Sequence, residues 1–172
     1  MIKADVQKAF NKQINEELFS AYLYVAMVNY FESQNLKGFA AWMRAQVAEE
    51  LIHANKLIAY MNERGGDVKL EAIGKPTGTW KSPLAAFEAA YEHECHISAC
   101  INTLYSASVK AGDHAAAIFL NWFVSEQVEE EASVDEVVQQ LKLAQGAPGA
   151  CFMLDRELAA RVPPITVNTP AN

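Results

Sequence analysis

Residues 65–82 read GGDVKLEAIGKPTGTWKS, and they separate two long stretches of helical pattern while carrying none themselves. Gly65, Gly66, Gly74, Gly78 and Pro76 break any regular period. A flanking helix of about 28 residues is roughly 42 Å long at 1.5 Å per residue. The 18 residues of the segment, extended, reach nearly ~60 Å. The segment can therefore recross the whole length of a bundle, so the helices before and after it can run parallel.

Working outward, the apolar spacing predicts helices α1 over 5–33, α2 over 38–64, α3 over 83–111 and α4 over 114–143. A shorter α5 is expected over 149–160, after the turn Gly146-Ala147-Pro148-Gly149. The α1–α2 link (Asn35-Leu36-Lys37-Gly38) and the α3–α4 link (Ala111-Gly112-Asp113) are short, so each pair should be an antiparallel hairpin. Pro163-Pro164 stops the last helix. The organisation is then one all-α domain over 1–162, with 163–172 as a disordered polar tail.

Composition narrows the function. At 172 residues, 51% of them hydrophobic, the chain can bury a real core, yet no run approaches the ~20 apolar residues of a membrane span. The start, Met1-Ile2-Lys3-Ala4-Asp5, lacks the apolar core of a secretion signal, so a cytoplasmic protein is expected. Cys95, Cys100 and Cys151 are odd in number and at no metal-ligand spacing, which argues against a disulfide framework. A net charge of −7 argues against nucleic acid and is compatible with a cation ligand.

Each long helix carries one apolar stripe, and each stripe is broken near mid-helix by metal-ligand residue types. On α1 the stripe is Phe10, Ile14, Glu17, Leu18, Ala21, Val25, Val28; on α2 it is Met43, Gln46, Glu50, His53, Leu57, Met61. On α3 it is Phe87, Tyr91, Glu94, Ile97, Ile101, Leu104; on α4 it is Phe119, Trp122, Phe123, Gln127, Glu130, Val134, Val137, Leu141. In an aligned bundle the breaks should converge at one height.

A faint duplication supports that convergence. Glu17 and Glu94 are 77 positions apart, as are Glu50 and Gln127, His53 and Glu130, Val47 and Val124, and Glu49 and Glu126. Two related hairpins would set these positions opposite one another, which suits a pair of metals. Burying the four carboxylates of Glu17, Glu50, Glu94 and Glu130 together would cost several kcal/mol each without compensation. Arg44 and Lys56 lie off the stripes, so two divalent cations are the natural counter-charge. Oxygen-rich ligation with one imidazole suits iron or manganese.

The blocks Asn15-Glu16-Glu17-Leu18, Ala48-Glu49-Glu50-Leu51-Ile52-His53, His93-Glu94 and Trp122-Phe123-Val124-Ser125-Glu126-Gln127-Val128-Glu129-Glu130 resemble the non-haem ferritins of bacteria. Glu50-Leu51-Ile52-His53 is one Glu-x-x-His motif of the ferritin-like four-helix bundle; Gln127-Val128-Glu129-Glu130 stands where such bundles place a second. A bacterioferritin would carry His at Glu130 and a haem-ligating Met at Leu51, so no haem is expected. Nor are there the paired Cys-x-x-Cys motifs of a rubrerythrin, or the basic tail of the DNA-protecting cages.

The resemblance implies a ferroxidase: Fe(II) oxidised by O2 or H2O2 at a buried di-iron centre, then deposited as ferric mineral inside a cage. Glu17, Glu50 and His53 would hold the first iron, with Glu50 bridging, and Glu94 and Glu130 the second, with Gln127 adjacent. Glu49, Glu126 and Glu129, with Glu130 shared, match a nearby third iron site. The second position, lacking a histidine, should hold iron less tightly. Tyr24 and Trp122 match aromatic electron donors beside the centre. The resemblance also implies a homo-oligomer of 24 subunits with α5 lining the fourfold axes, and Phe31, Trp80 and Phe152 are candidate contacts. The alternative is a di-iron or di-manganese oxidase or oxygenase acting on an organic substrate.

Overall fold

The computed structural model describes residues 2–145, 147 and 149–161, and forms five helices: α1 Ala4–Ser33, α2 Lys37–Glu63, α3 Pro83–Lys110, α4 His114–Leu143 and α5 Ala150–Leu158. These bounds lie within two residues of those expected. The expectation for 163–172 falls outside the described residues.

Local chemistry sets the ends. Asn35 at φ 58° turns α1 into α2, and Gly112 at φ 67° turns α3 into α4. Ser82 opens α3, its hydroxyl accepting from the Ala85 N–H at 3.1 Å, with Pro83 at the first helical position. Asp113 opens α4 by accepting from the Ala116 N–H at 3.2 Å. Its carboxylate also receives Arg64 from the end of α2 at 3.0 Å. Helix α2 has no such residue of its own. Its first amides, Gly38 N–H and Phe39 N–H, donate to Asp155 of α5 at 2.8 and 3.0 Å. A C-terminal helix thus satisfies the donors that every helix leaves orphaned at its start.

The 65–82 segment recrosses the bundle along α1. Near its start, Asn11 binds the Asp67 carbonyl and the Lys69 N–H, and Gln7 accepts from the Asp67 N–H. At its far end, Trp80 packs edge-on to Tyr30 with ring centroids 5.3 Å apart. Helices α2 and α3 therefore run parallel, as the segment's length predicts.

Two apolar cores occupy the bundle's ends. One joins Phe10, Ile14, Leu57, Met61, Ile101 and Leu120. The other joins Met27, Phe31, Phe39, Met43, Phe87 and Val137. Phe31 is fully buried and stacks on Phe39 at 5.3 Å, which corrects its reading as a surface contact: it closes an aromatic cluster with Phe87. Trp80 is half-buried, while Phe152 is 62% exposed. Between the two cores lies a layer of polar side chains.

Candidate metal centre

That layer holds Glu17 and Gln13 from α1, Gln46, Glu50 and His53 from α2, Glu94 from α3, and Gln127 and Glu130 from α4, all buried. Helical spacing explains the supports. Gln13 stands one turn before Glu17 and donates to it at 2.9 Å. Gln46 stands one turn before Glu50 but reaches across to Glu130, at 2.8 Å. Tyr24 donates to Glu94 Oε1, and Gln127 donates to Glu94 Oε2 at 3.2 Å.

Two sets of ligand-type atoms come together, each within 4.8 Å of one another: Glu17, Glu50 and His53; and His53, Glu126 and Glu130. His53 stands between them, with Nδ1 3.5 Å from Glu50 Oε2 and Nε2 3.9 Å from Glu126 Oε1. The first set is the one the sequence predicts. The second brings Glu126 and Glu130 to the same imidazole, while Glu94, the expected partner of Glu130, is hydrogen-bonded by Tyr24 and Gln127. Glu49 is half-buried and paired with Arg161 at 2.6 Å. Glu129 is exposed and joins neither set. Trp122 is 37% exposed, edge-on to His53 at 5.5 Å, with the Lys56 ammonium 3.2 Å above its ring.

The electrostatics follow from burial without cations. Desolvation pushes the Glu94 carboxyl up to about 8, reinforced by the charge of Glu130. Desolvation also raises Glu50 well above the usual carboxylate range, aided by Glu94, Glu17 and Glu130. Glu17 and Glu130 rise for the same first reason. At Tyr24, burial and the neighbouring Glu94 hold the phenol in its neutral, donating form. Two carboxylate oxygens, Glu17 Oε2 and Glu50 Oε2, are buried with no hydrogen-bond partner among the described residues. A divalent cation would satisfy both and reverse the desolvation penalty, so the residues fit a metal.

Sequence reasoning missed Gln13 and Gln46 as supports, although both sit four residues before a predicted ligand. It also missed Ser98, 3.4 Å from Gln127, and Arg161. No local pattern signals either.

The ferritin-like domain is recognised over residues 7–144. The chain belongs to the ferritin-like family. It is 41% identical over 162 residues to the bacterial non-heme ferritin of Bacteroides fragilis, covering 94% of this chain and 100% of that one. A namesake from Campylobacter jejuni is 38% identical, covering 91% and 93%. Among solved structures, an open-pore ferritin from the hyperthermophilic archaeon Archaeoglobus fulgidus is 47% identical with a TM-score of 0.93, covering 94% of this chain and all of that one. A humanized archaeal ferritin is 45% identical with a TM-score of 0.94, covering 96% and 100%. This ferritin-like chain has no helix among its described residues long and apolar enough to cross a membrane.

Proposed function

We propose that this chain is an iron-storage subunit whose buried centre oxidises Fe(II). The observation that carries the reading is the pair of unpartnered buried oxygens, Glu17 Oε2 and Glu50 Oε2, beside the His53 imidazole. Iron is substrate and cargo here. Each of two Fe(II) ions gives up one electron; O2 takes both electrons and two protons to become H2O2, or H2O2 takes both and two protons to become water. Glu17, Glu50 and His53 bind the first ion, and Glu50 reaches toward the second. Glu130 with Glu94 binds the second, steadied by Gln46, Gln127 and Tyr24. Glu126, Glu129 and Glu49 form a weaker acidic exit toward the store, where Fe(III) is deposited as mineral. The names and fold of the relatives support this reading.

Storage requires an enclosed space, so we take the working form to be a cytoplasmic cage of 24 chains. Exposed Leu143, Phe152 and Met153, at 85%, 62% and 66%, give the end of α4 and α5 an apolar patch suited to subunit contact. The rival reading, oxidation of an organic substrate, needs an apolar pocket opening on the metals. The cavity of about 380 Å³ that reaches Gln127 mixes Tyr91, Ile101, Val124 and Val128 with Ser98, Asn102, Glu131 and Asp135, and it is lined by none of Glu17, Glu50, His53, Glu94 and Glu130. Anaerobic Fe(II) titration of metal-free protein, followed by stopped-flow oxidation, tests the proposal. Two tight ions per chain and a fast oxidation phase are expected; one ion or fewer would sink it. A particle of tens rather than hundreds of kilodaltons would favour the rival.

A further inference from the structure

One residue round α1 from the buried Glu17, on the side toward α3, three unlike ligands meet. Glu16 and Glu17 are neighbours in sequence, yet Glu17 is buried while Glu16 is half-buried toward α3. There the Glu16 carboxylate lies 3.2 Å from His96 Nε2, and Cys100 Sγ lies 3.5 Å from the same nitrogen. His96 and Cys100 are one turn apart on α3, so both side chains leave the helix on one face. All three ligand-type atoms fall within 4.8 Å of one another. None of them serves the iron reading above.

We propose that Glu16, His96 and Cys100 form a second, mononuclear metal site, taking a borderline divalent cation such as zinc. The two separations measured from the imidazole nitrogen match edges of a tetrahedron around such an ion. With metal–nitrogen and metal–oxygen bonds of about 2.1 Å and a metal–sulfur bond of about 2.3 Å, nitrogen and oxygen should lie ~3.4 Å apart and nitrogen and sulfur ~3.6 Å. Without a cation the trio is poorly matched, since one Nε2–H can donate well to only one of its two neighbours. A cation at the centre serves all three. The thiolate distinguishes this site from the oxygen-rich centre inside the bundle and selects a softer ion.

The fourth position has room. A cavity of about 220 Å³ opens on His96 and Cys100 and is also lined by Lys12, Gln13 and Thr103, which leaves space for water. His93 is not part of the set: its Nε2 is engaged by the Ser20 hydroxyl at 2.7 Å. Burial and Glu16 raise the Cys100 thiol, while Lys12 opposes them, so binding must displace the thiol proton.

Cobalt is the probe, because Co(II) bound by thiolate shows sulfur-to-metal charge-transfer absorption and carboxylate or imidazole alone does not. Titrating the assembled metal-free protein with Co(II) under reducing conditions should develop that absorption to one equivalent per chain, and Zn(II) should abolish it. The absorption should vanish in C100S, weaken more than tenfold in affinity in H96A, and persist in both C95S and E50A. His96 is largely exposed, so H96A should melt as wild type does and separates loss of a ligand from loss of fold. Absence of the absorption from wild type, its survival in C100S, or its loss in C95S would each overturn the site.

Discussion

The two halves of the buried centre are prepared differently. Around Glu17, Glu50 and His53, two carboxylate oxygens have no partner. Around Glu94 and Glu130, the carboxylates are already occupied by Tyr24, Gln127 and Gln46. The first half is costly when empty and gains most from a cation. In the second half these hydrogen bonds offset part of the burial cost that still raises Glu94 and Glu130, and a cation there must displace or share them. The difference teaches that affinity ordering is set by the amides and the phenol as much as by the count of ligands. On the proposed reading, the second ion would be held less tightly and would be the one to move on.

The largest effect should come from E50A, which removes a ligand of the first half that also feels the charges of Glu94 and Glu130. Fast iron oxidation should fall by more than the ~10–100-fold seen when an outer support of a metal site is lost. Metal-free protein should keep its melting temperature or gain slightly, because relief of crowding among buried carboxylates offsets the cavity. Stopped-flow absorbance and calorimetry on one preparation check both. A strongly destabilised protein that still oxidises iron rapidly would make Glu50 a structural residue.

Next comes E94Q, read as stability against pH. Burial raises the Glu94 carboxyl from 4.5 to about 8, so the folded chain holds a proton that the unfolded chain has released. The stability it contributes is full below the unfolded value and is lost as pH climbs through that window to about 8. Metal-free wild type should therefore lose melting temperature across it, and E94Q should flatten the decline. A steeper decline in E94Q would break the comparison between the halves.

A smaller change is expected from Q46L, which releases Glu130 without touching a ligand of the first half. The second ion should bind roughly 10-fold more weakly and the first should be unaffected, by anaerobic titration. Smaller still is R161A. Freeing Glu49 from its 2.6 Å ion pair should leave fast oxidation intact and let the acidic exit retain iron a few-fold longer, seen as a slowed late phase. E63A, at an exposed position on α2, should change neither assay.

Most of the fold was legible because glycine and proline punctuate helices whose apolar period is long and regular, and because 18 residues can span a bundle. The first half of the centre was legible too: Glu50 and His53 share one helix face at fixed spacing, and Glu17 breaks an apolar stripe. What escaped depends on side chains crossing between helices. No pattern in α2 says that Gln46 reaches to Glu130 instead of staying with Glu50 one turn away. Phe31 looked like surface because the cluster that buries it draws on Phe39 and Phe87 from two other helices. The pairing of Arg161 with Glu49 joins residues 112 positions apart, beyond any local signal.

Gly38 shows how such distant joints act on one another. A Cβ there would lie 1.5 Å from the carbonyl oxygen of Asp155, whose side chain receives the first amides of α2. Substituting one hydrogen by a methyl group would therefore push α5 off the bundle. Arg161 follows α5 by three residues, holds Glu49, and lies 4.2 Å from the Trp42 ring. A change at the first turn of α2 would be inherited by the acidic rim of the buried centre, a full three turns along the same helix, by way of the opposite end of the polypeptide.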